Sequence, residues 1–374
     1  MRHGNNAGTA GVVPGILRMR ATSITAALCA CLVLVACAPA EPPRPPPAPT
    51  SGAISTPPPA ATPTSEPVAE PAPPATTAAT SEPAPAAASS SDPDLVDSPG
   101  DTRLQPAADL VKAGQHAGAR AELEKVLPDI DKTGSLDAKM AAHALLGRTC
   151  AALSDEGCAA GQYEIVRAFW KDPAAAAKQI DAAGGDEKVK LEHLRRALNA
   201  AGEALFHAAE VKRRAAEEVR FPAYTGKGDK DRILKHINTR VASWMKTRRA
   251  RIEEANNMYS NIAQLQPAPP PRWVVASAAR VGQMWGRFAA EFRAAPIPAQ
   301  WKGAGLVPGT NVPVEEVRAH YYAAVDEASE PQRELARAAF KKCQDLSQKY
   351  GVEDGYSKSC DAWLAKNPAP AAAP

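Results

Sequence analysis

The stretch that decides the fold is residues 191–219, LEHLRRALNAAGEALFHAAEVKRRAAEEV. Its apolar side chains recur at alternating steps of three and four residues, which is the heptad pattern of a helix packed against another helix. This seam consists of Leu191, Leu194, Leu198, Ala201, Leu205, Ala208, Lys212, Ala215 and Val219. Pro222 comes shortly after the seam, and proline ends a helix because it lacks an N–H group. The stretch therefore predicts one long helix.

A second seam begins after the Gly-Lys-Gly loop at residues 226–228. Its members have nearly the same spacing and are Ile237, Val241, Trp244, Arg248, Ile252, Ala255, Tyr259 and Ile262. Two long helices joined by a short loop pack side by side in opposite directions. Residues 186–266 are therefore predicted to form a long antiparallel helical hairpin, in which each helix is about 50 Å long.

Residues 105–185, before the hairpin, are rich in alanine and almost free of β-branched alternation, which indicates helices. Gly114 precedes a helix whose packing face carries Ala119 and Leu123, and Tyr163 lies in a later helix. This arrangement resembles a tetratricopeptide repeat. The two candidate repeats are offset by about 40 residues instead of the usual 34. The resemblance implies a short pair of TPR-like helical hairpins that pack against the long hairpin.

Residues 267–366 are predicted to complete an all-α fold. A proline run at 267–271 ends the hairpin. The helix after it carries apolar residues at helical spacing, namely Trp273, Val281, Met284, Trp285, Phe288 and Phe292. Further helices are predicted near 314–328, 331–349 and 354–366, with Pro331 starting the second of them. Residues 367–374 are predicted to be a disordered tail.

Several short segments of the hairpin and the C-terminal region resemble one known family. They are FPAY at 221–224, KHI at 235–237, PRWVVA at 271–276, ARVGQM at 279–284 and APIP at 295–298. These segments are similar to the C-terminal region of large tetratricopeptide-repeat proteins of myxobacteria, which are associated with adventurous gliding motility at the cell envelope. The resemblance covers roughly residues 191–367, and the upstream repeat array of those proteins is almost missing. It implies an envelope scaffold and brings no catalytic residue to this chain.

The N-terminus has the features of an export signal. Residues 26–35 are an apolar run preceded by Arg18 and Arg20, and residues 34–37 are LVAC. This order indicates a signal peptide over residues 1–36, because the run is too short to span a bilayer. A cysteine directly after Leu-Val-Ala resembles the lipobox of bacterial lipoproteins, which implies that Cys37 is acylated. Ala38 after it resembles outer-membrane lipoproteins, so a periplasm-facing anchor there is expected. An ordinary cleaved signal is the alternative.

Residues 37–104 are predicted to be a disordered Pro/Ala-rich tether behind the lipidated cysteine. Between Ala38 and Gly100 there are 19 prolines in 63 positions, and Arg44 is the only base. Such a segment lacks the apolar side chains needed to offset the entropy of ordering. Fully extended, it would hold the helices about 100–190 Å from the lipid surface.

Four of the seven cysteines lie outside the signal and anchor, as two local pairs, Cys150 with Cys158 and Cys343 with Cys360. In an oxidising periplasm this even number indicates two disulfides, although four cysteines allow three connectivities. Local pairing is favoured because each pair flanks a turn. No Cys-x-x-Cys or His-x-x-x-His spacing indicates a metal, so neither a metal site nor another cofactor is predicted.

The predicted hairpin is basic and the tether is acidic. Residues 187–251 contain 17 Lys and Arg against 8 Asp and Glu, whereas residues 38–100 contain seven acids and one base. The densest basic clusters, predicted to bind a partner, are Lys212, Arg213, Arg214, Lys246, Arg248, Arg249 and Arg251. Behind an export signal we expect no nucleic acid, but an envelope protein, anionic lipid or peptidoglycan. A merely solvated face is the alternative.

No catalytic constellation is predicted. Ser243 and Lys246 match Ser-x-x-Lys and residues 132–134 match Lys-Thr-Gly. Acyl transfer needs that serine at the start of a helix and the second motif on a strand, and the sequence predicts neither. We therefore expect a non-enzymatic scaffold or adaptor lipoprotein in a motility or envelope-assembly complex. The alternative is a peptidoglycan-binding protein or a lipoprotein activator of a cell-wall enzyme.

Overall fold

A computed structural model describes residues 100–226, 230–307 and 311–369. The predicted signal peptide, Cys37, the tether up to residue 99 and residues 370–374 lie outside the described residues. Within the described part of the chain, β-type pairing is confined to one isolated bridge between Leu306 and Pro313. The all-α prediction is confirmed. None of the helices described has both the length and the apolar character needed to cross a bilayer.

The described residues form eleven α-helices. In chain order they are α1 (Gln105–Lys112), α2 (His116–Thr133), α3 (Leu136–Ala152), α4 (Glu156–Phe169), α5 (Pro173–Ala182), α6 (Glu187–Glu217), α7 (Lys230–His236), α8 (Ala242–Ile262), α9 (Pro271–Arg293), α10 (Val314–Tyr350) and α11 (Gly355–Lys366). A π-helical turn, Ile237–Val241, joins α7 directly to α8. Short 3₁₀ turns lie at Thr102–Leu104 and Ala299–Trp301. Leu104 is fully buried, so packed structure begins slightly before the predicted boundary at residue 105.

Helix α6 contributes buried side chains to both main hydrophobic cores. It begins after Asp186, whose carboxylate accepts a hydrogen bond from the backbone N–H of Val189 at 2.9 Å, an N-cap contact. Its N-terminal half, around Leu198 and Ala201, packs with α1–α5 in the first core. Its C-terminal half, around Phe206, packs with α8–α11 in the second core. The fold therefore depends on this one helix for its continuity.

The predicted antiparallel hairpin of α6 with α8 is confirmed, but the seam on α6 is shifted. The seam residues Val241, Trp244, Arg248, Ile252, Ala255, Tyr259 and Ile262 are all buried. On α6, Ala209 and Ala216 are buried in place of the predicted Ala208 and Ala215, and Leu191 is 64% exposed. A straight helix has 3.6 residues per turn, so its buried line drifts by about 20° per heptad away from a 3.5-residue repeat. After several heptads the buried line has moved by nearly one residue.

The positions that carry the tetratricopeptide resemblance are buried in the first core. Ala119 and Leu123 have no exposed surface, and Tyr163 is 2% exposed. The Tyr163 ring lies so close to Gly147 that a Cβ atom there would be 3.1 Å from it. These contacts hold α3 and α4 together, while the finer assignment to tetratricopeptide repeats stays a prediction.

Helix α10 is a single helix of 37 residues, which corrects the prediction of two helices meeting at Pro331. Proline removes one backbone hydrogen bond and usually breaks a helix. Here Ala328 before it and Ala336 and Phe340 after it are buried in the same core against α9. Glu330 also forms ion pairs with Arg333 and Arg337 one and two turns further on. Packing on both sides of the proline keeps the helix continuous.

Both local cysteine pairs form disulfides, as predicted. The Cα atoms are 5.8 Å apart for Cys150 and Cys158 and 6.3 Å apart for Cys343 and Cys360. The second bridge ties the end of α10 to α11. Asp155 lies beside the first bridge, but its carboxylate accepts from the Cys158 backbone N–H at 3.0 Å and pairs with an arginine of α2. It is therefore a helix cap.

Candidate functional site

Six of the seven cations predicted to bind a partner contact acids of the same chain. The pairs are Lys212 with Glu254, Arg213 with Glu210 and Glu217, Arg214 with Glu156, Arg248 with Glu291, Arg249 with Glu253, and Arg251 with Glu254. The hairpin brings the two clusters together, since Lys212 Nζ lies 2.6 Å from the carboxylate of Glu254 on α8. Acidic side chains accompany them, however. Most of the predicted positive charge is thus neutralised within the molecule.

Arg248 is a structural residue in the hairpin. Its side chain is 3% exposed, and its guanidinium donates to the backbone carbonyl of Ala216 at the end of α6. A cation at that position is favoured by the unpaired carbonyls of a helix C-terminus. Burial lowers the pKa of Arg248, against the attraction of Glu291 and Glu217. Arg248 therefore has no access to a partner at the surface.

Three cations of the hairpin, among them the predicted Lys246, are exposed and unpaired within the described residues. From Arg232 to Ile252 the chain has seven Lys and Arg and no Asp or Glu. Within the described residues, the side chains of Lys235, Arg240 and Lys246 are exposed and form no ion pair. They lie on the solvent side of α7, the π turn and α8, opposite the buried seam. We call these three residues the basic face.

The basic face includes a π-helical turn. In a π turn the backbone hydrogen bonds span five residues, and such turns occur often at functional sites. Arg240 projects from this turn, and the hydroxyl of Thr239 donates to the carbonyl of Lys235 at 2.6 Å. The same turn brings Ile237 and Val241 toward the interior, where they line a pocket. The turn therefore separates an exposed basic side from an apolar side.

That pocket holds a cavity of about 20 Å³, enough for one water-sized group, and is lined almost wholly by aromatic, aliphatic and proline side chains. We call it the aromatic pocket. Its lining residues are Phe221, Tyr224, Ile233, His236, Ile237, Val241, Pro296, Pro298, Trp301 and Tyr321. Tyr224 packs edge-on against His236, with ring centroids 5.2 Å apart, and Trp301 packs likewise against Tyr321 at 6.0 Å.

The polar groups of the aromatic pocket are few. His236 Nε2 lies 2.9 Å from the carbonyl oxygen of Pro222, which fixes the orientation of the ring. Burial raises the pKa of Tyr321 to about 12, so its hydroxyl stays protonated at neutral pH. Trp301 is 5% exposed, and its indole N–H has no acceptor among the described residues.

Two buried ion-pair clusters lie away from this pocket. In the first core, Arg148 Nε donates to Glu203 Oε1 at 2.8 Å, and the Tyr163 hydroxyl donates to the same oxygen at 2.9 Å. In the second core, Arg280 Nε lies 3.0 Å from Glu210. Burial raises the pKa of Glu210, but the charges of Arg280 and a neighbouring arginine outweigh it and hold the pKa below its usual value. Both carboxylates already pair with cations, so neither is a free acid or base.

The sequence interpretation misses Lys235 and Arg240 because it selects the densest basic clusters. One signal accounts for part of the difference between the free and the paired cations. Arg249 and Arg251 each have a glutamate three or four residues further along the helix, whereas Arg240 and Lys246 have no acid at that spacing. The aromatic pocket has no such signal, because its walls come from distant parts of the chain.

No protein-family model matches this chain, and neither the curated proteins nor the solved structures yield a significant match.

Proposed function

We propose that this chain is a non-catalytic helical adaptor, anchored in the outer membrane through lipidated Cys37, that binds an acidic protein partner in the cell envelope through its basic face. One observation carries the proposal. Lys235, Arg240 and Lys246 are exposed and unpaired within the described residues, while the other cations of the hairpin clusters are neutralised. Unpaired charges of one sign raise the local concentration of an oppositely charged partner.

The anchor and the pathway rest on the sequence. The LVAC stretch ending at Cys37 supports lipidation, and the segments similar to gliding-motility envelope proteins support a motility or envelope-assembly complex. The acidic, proline-rich residues 38–99 lie between the anchor and the helices. An adaptor on such a tether works at a distance from its membrane.

The test is cross-linking in intact cells followed by mass spectrometry. The charge-reversal variant carries Lys235→Glu, Arg240→Glu and Lys246→Glu. The matched control reverses three exposed cations at the other end of the molecule, Lys112, Lys125 and Lys132. A discrete partner that is captured by the wild type and the control, and lost from the basic-face variant, supports the adaptor.

Capture of the same neighbours by all three proteins would instead make the basic face a solvated surface. Two further assays address the alternative assignment to the cell wall. If the wild type sediments with insoluble peptidoglycan and the basic-face variant does not, the partner of the basic face is a glycan instead of a protein. Clearing of a peptidoglycan gel by the purified chain would overturn the non-catalytic assignment.

A further inference from the structure

We propose that residues 94–97, DLVD, bind the first turns of the chain's own helix α6. In this contact Val96 packs against Val189, and the carboxylate of Asp94 pairs with Lys188. The proposal goes beyond the adaptor function, because the ligand belongs to the same chain and neither a partner nor a membrane takes part. The contact fixes the place at which the tether joins the helices.

The first turns of α6 leave an apolar side chain uncovered. Residues Glu187 to Val189 are all exposed, and the buried positions of the helix begin only at Ala197. Val189 is 41% exposed although its side chain is apolar. Lys188 beside it is exposed and forms no ion pair within the part of the chain that the structure describes. These turns therefore offer a ligand an apolar contact next to a free cation.

The described structure begins close to these turns. Gly100 lies against the side chain of Arg196, which comes seven residues after Val189. Seven residues are nearly two full turns, so Arg196 and Val189 lie on the same side of α6, about 10 Å apart along its axis. Val96 comes four residues before Gly100 and reaches up to about 13 Å from it. The reach of the chain therefore matches the distance on the helix.

Gly100 also gives the chain its direction. Its φ angle is +74°, which glycine adopts at no steric cost, and a proline precedes it. Proline followed by glycine with a positive φ is typical of a type II turn, which reverses the chain. The two arms of such a turn lie side by side. The residues before Gly100 therefore run back over the surface of the helices, beside residues 101–104.

The charges of the two segments are complementary. Residues 92–97 contain three acids and no base, whereas residues 187–196 contain four bases and two acids. The acidic segment also contains the only leucine and one of the two valines between residues 38 and 99. In an extended chain alternate side chains point to the same side, so Val96 and Asp94 both face α6. An acidic segment with aliphatic side chains thus ends beside basic helical turns with an uncovered valine.

The experiment is a disulfide trap in the full chain, purified in detergent. Val96→Cys with Val189→Cys is oxidised mildly, and the new bond is located by mass spectrometry of non-reduced peptides. The matched control combines Val96→Cys with Leu191→Cys. Leu191 is 64% exposed, so its thiol is more accessible, but it lies about 160° around the helix from Val189. We expect at least about fivefold more bond at position 189, because docking holds those two thiols together.

A charge exchange in the same background tests the ion pair. Asp94→Lys should lower the yield of the bond between positions 96 and 189 by about threefold, since it places two like charges together. Adding Lys188→Asp should restore the yield, because the pair is then present with its charges exchanged. Glu82→Lys, outside the proposed contact, is the matched control and should leave the yield unchanged.

Four results would overturn the proposal. They are a yield at position 189 no higher than at position 191, a yield that Asp94→Lys leaves unchanged, a loss that Lys188→Asp fails to restore, and a bond between two chains at high dilution. The exchanged positions on α6 are all exposed, so none of the variants disturbs a core. Because the trap is read in the purified chain without a partner, its failure is distinct from a failure to capture one.

Discussion

Glu203 illustrates how a buried residue holds the first core together. Its carboxylate is 6% exposed and receives hydrogen bonds from Arg148 and Tyr163. Glu203→Ala leaves the buried guanidinium of Arg148 without its carboxylate, so we expect the free energy of unfolding to fall by about 3–5 kcal/mol. Urea denaturation measures this. Glu192→Ala, on the exposed side of α6, should change it by less than about 0.5 kcal/mol, and equal effects would contradict the role of the buried pair.

His207 makes stability depend on pH. Its ring stacks on Tyr163 with centroids 4.5 Å apart, and its Nε2 lies 3.8 Å from Glu156. Burial lowers the pKa of His207 below 6.5, and the charges of Arg214 and Arg167 act in the same direction, against Glu156 and Glu203.

The unfolded chain therefore takes up a proton at a higher pH than the folded chain. The contribution of His207 to the free energy of unfolding is complete above about pH 6.5 and is lost as the pH falls toward the folded-state pKa. We expect His207→Gln to flatten the decrease in stability between about pH 7.5 and 5.5, measured by urea denaturation. His320→Gln, at an exposed position, should leave the decrease unchanged. An equal flattening in both variants would mean that His207 is not the cause of the decrease in stability at low pH.

The role of Arg248 could not be predicted from the sequence. Its spacing assigns it to the buried seam of the hairpin, whereas charge density assigns it to a partner-binding cluster. The structure buries it, because carbonyls at the end of α6 and Glu291 are available to its guanidinium. These acceptors are distant in sequence from Arg248, so no local pattern decides between the two roles.

At the scale of elements, α9 and α10 approach each other closely at Gly282. A Cβ atom on Gly282 would lie 2.8 Å from the Phe340 ring, which stacks on Trp363 from the other side with centroids 4.5 Å apart. The ring therefore has no room to withdraw. We expect Gly282→Ala to lower the free energy of unfolding by about 1–3 kcal/mol, measured by urea denaturation.

A glycine in α4 provides the matched control. Gly161 is exposed and has no atom within 4 Å of an added Cβ. Gly161→Ala should raise the free energy of unfolding by about 0.5–1 kcal/mol, because alanine favours the helix. If Gly282→Ala and Gly161→Ala both changed the free energy of unfolding in the same direction, the close approach of α9 and α10 would not explain the effect at Gly282.

Element prediction succeeds where large side chains mark the buried side. The α8 seam contains Trp244, Ile252 and Tyr259, and every predicted position from Val241 to Ile262 is buried. On α6, Ala208 and Ala209 are equally apolar, so the pattern does not distinguish a 3.5-residue from a 3.6-residue repeat. The continuity of α10 through Pro331 could not be predicted either, since it depends on burial against another helix.

At the scale of the whole molecule, the proposed anchor determines where the helices are found. Cys37→Ala removes the acylated thiol, so we expect the chain to move from the detergent-extracted membrane fraction to the soluble fraction, because a stable anchor needs at least two acyl chains. The mass of the intact chain should also decrease by the mass of the missing acyl groups. Cys31→Ala, within the apolar run, is the matched control and should stay in the membrane fraction. An unchanged distribution of the Cys37 variant would contradict lipidation.

The position of α6 between the two cores has a mechanical consequence. The tether enters beside Arg196, in the N-terminal half of this helix, and the basic face lies beyond its C-terminal end. In the proposed adaptor, a pull between the membrane and a bound partner would be directed along the helix axis. Under such a load the buried layers on both sides of α6 slide in parallel and must yield together, instead of opening one after another. The proposed adaptor would therefore load both cores of the molecule at once.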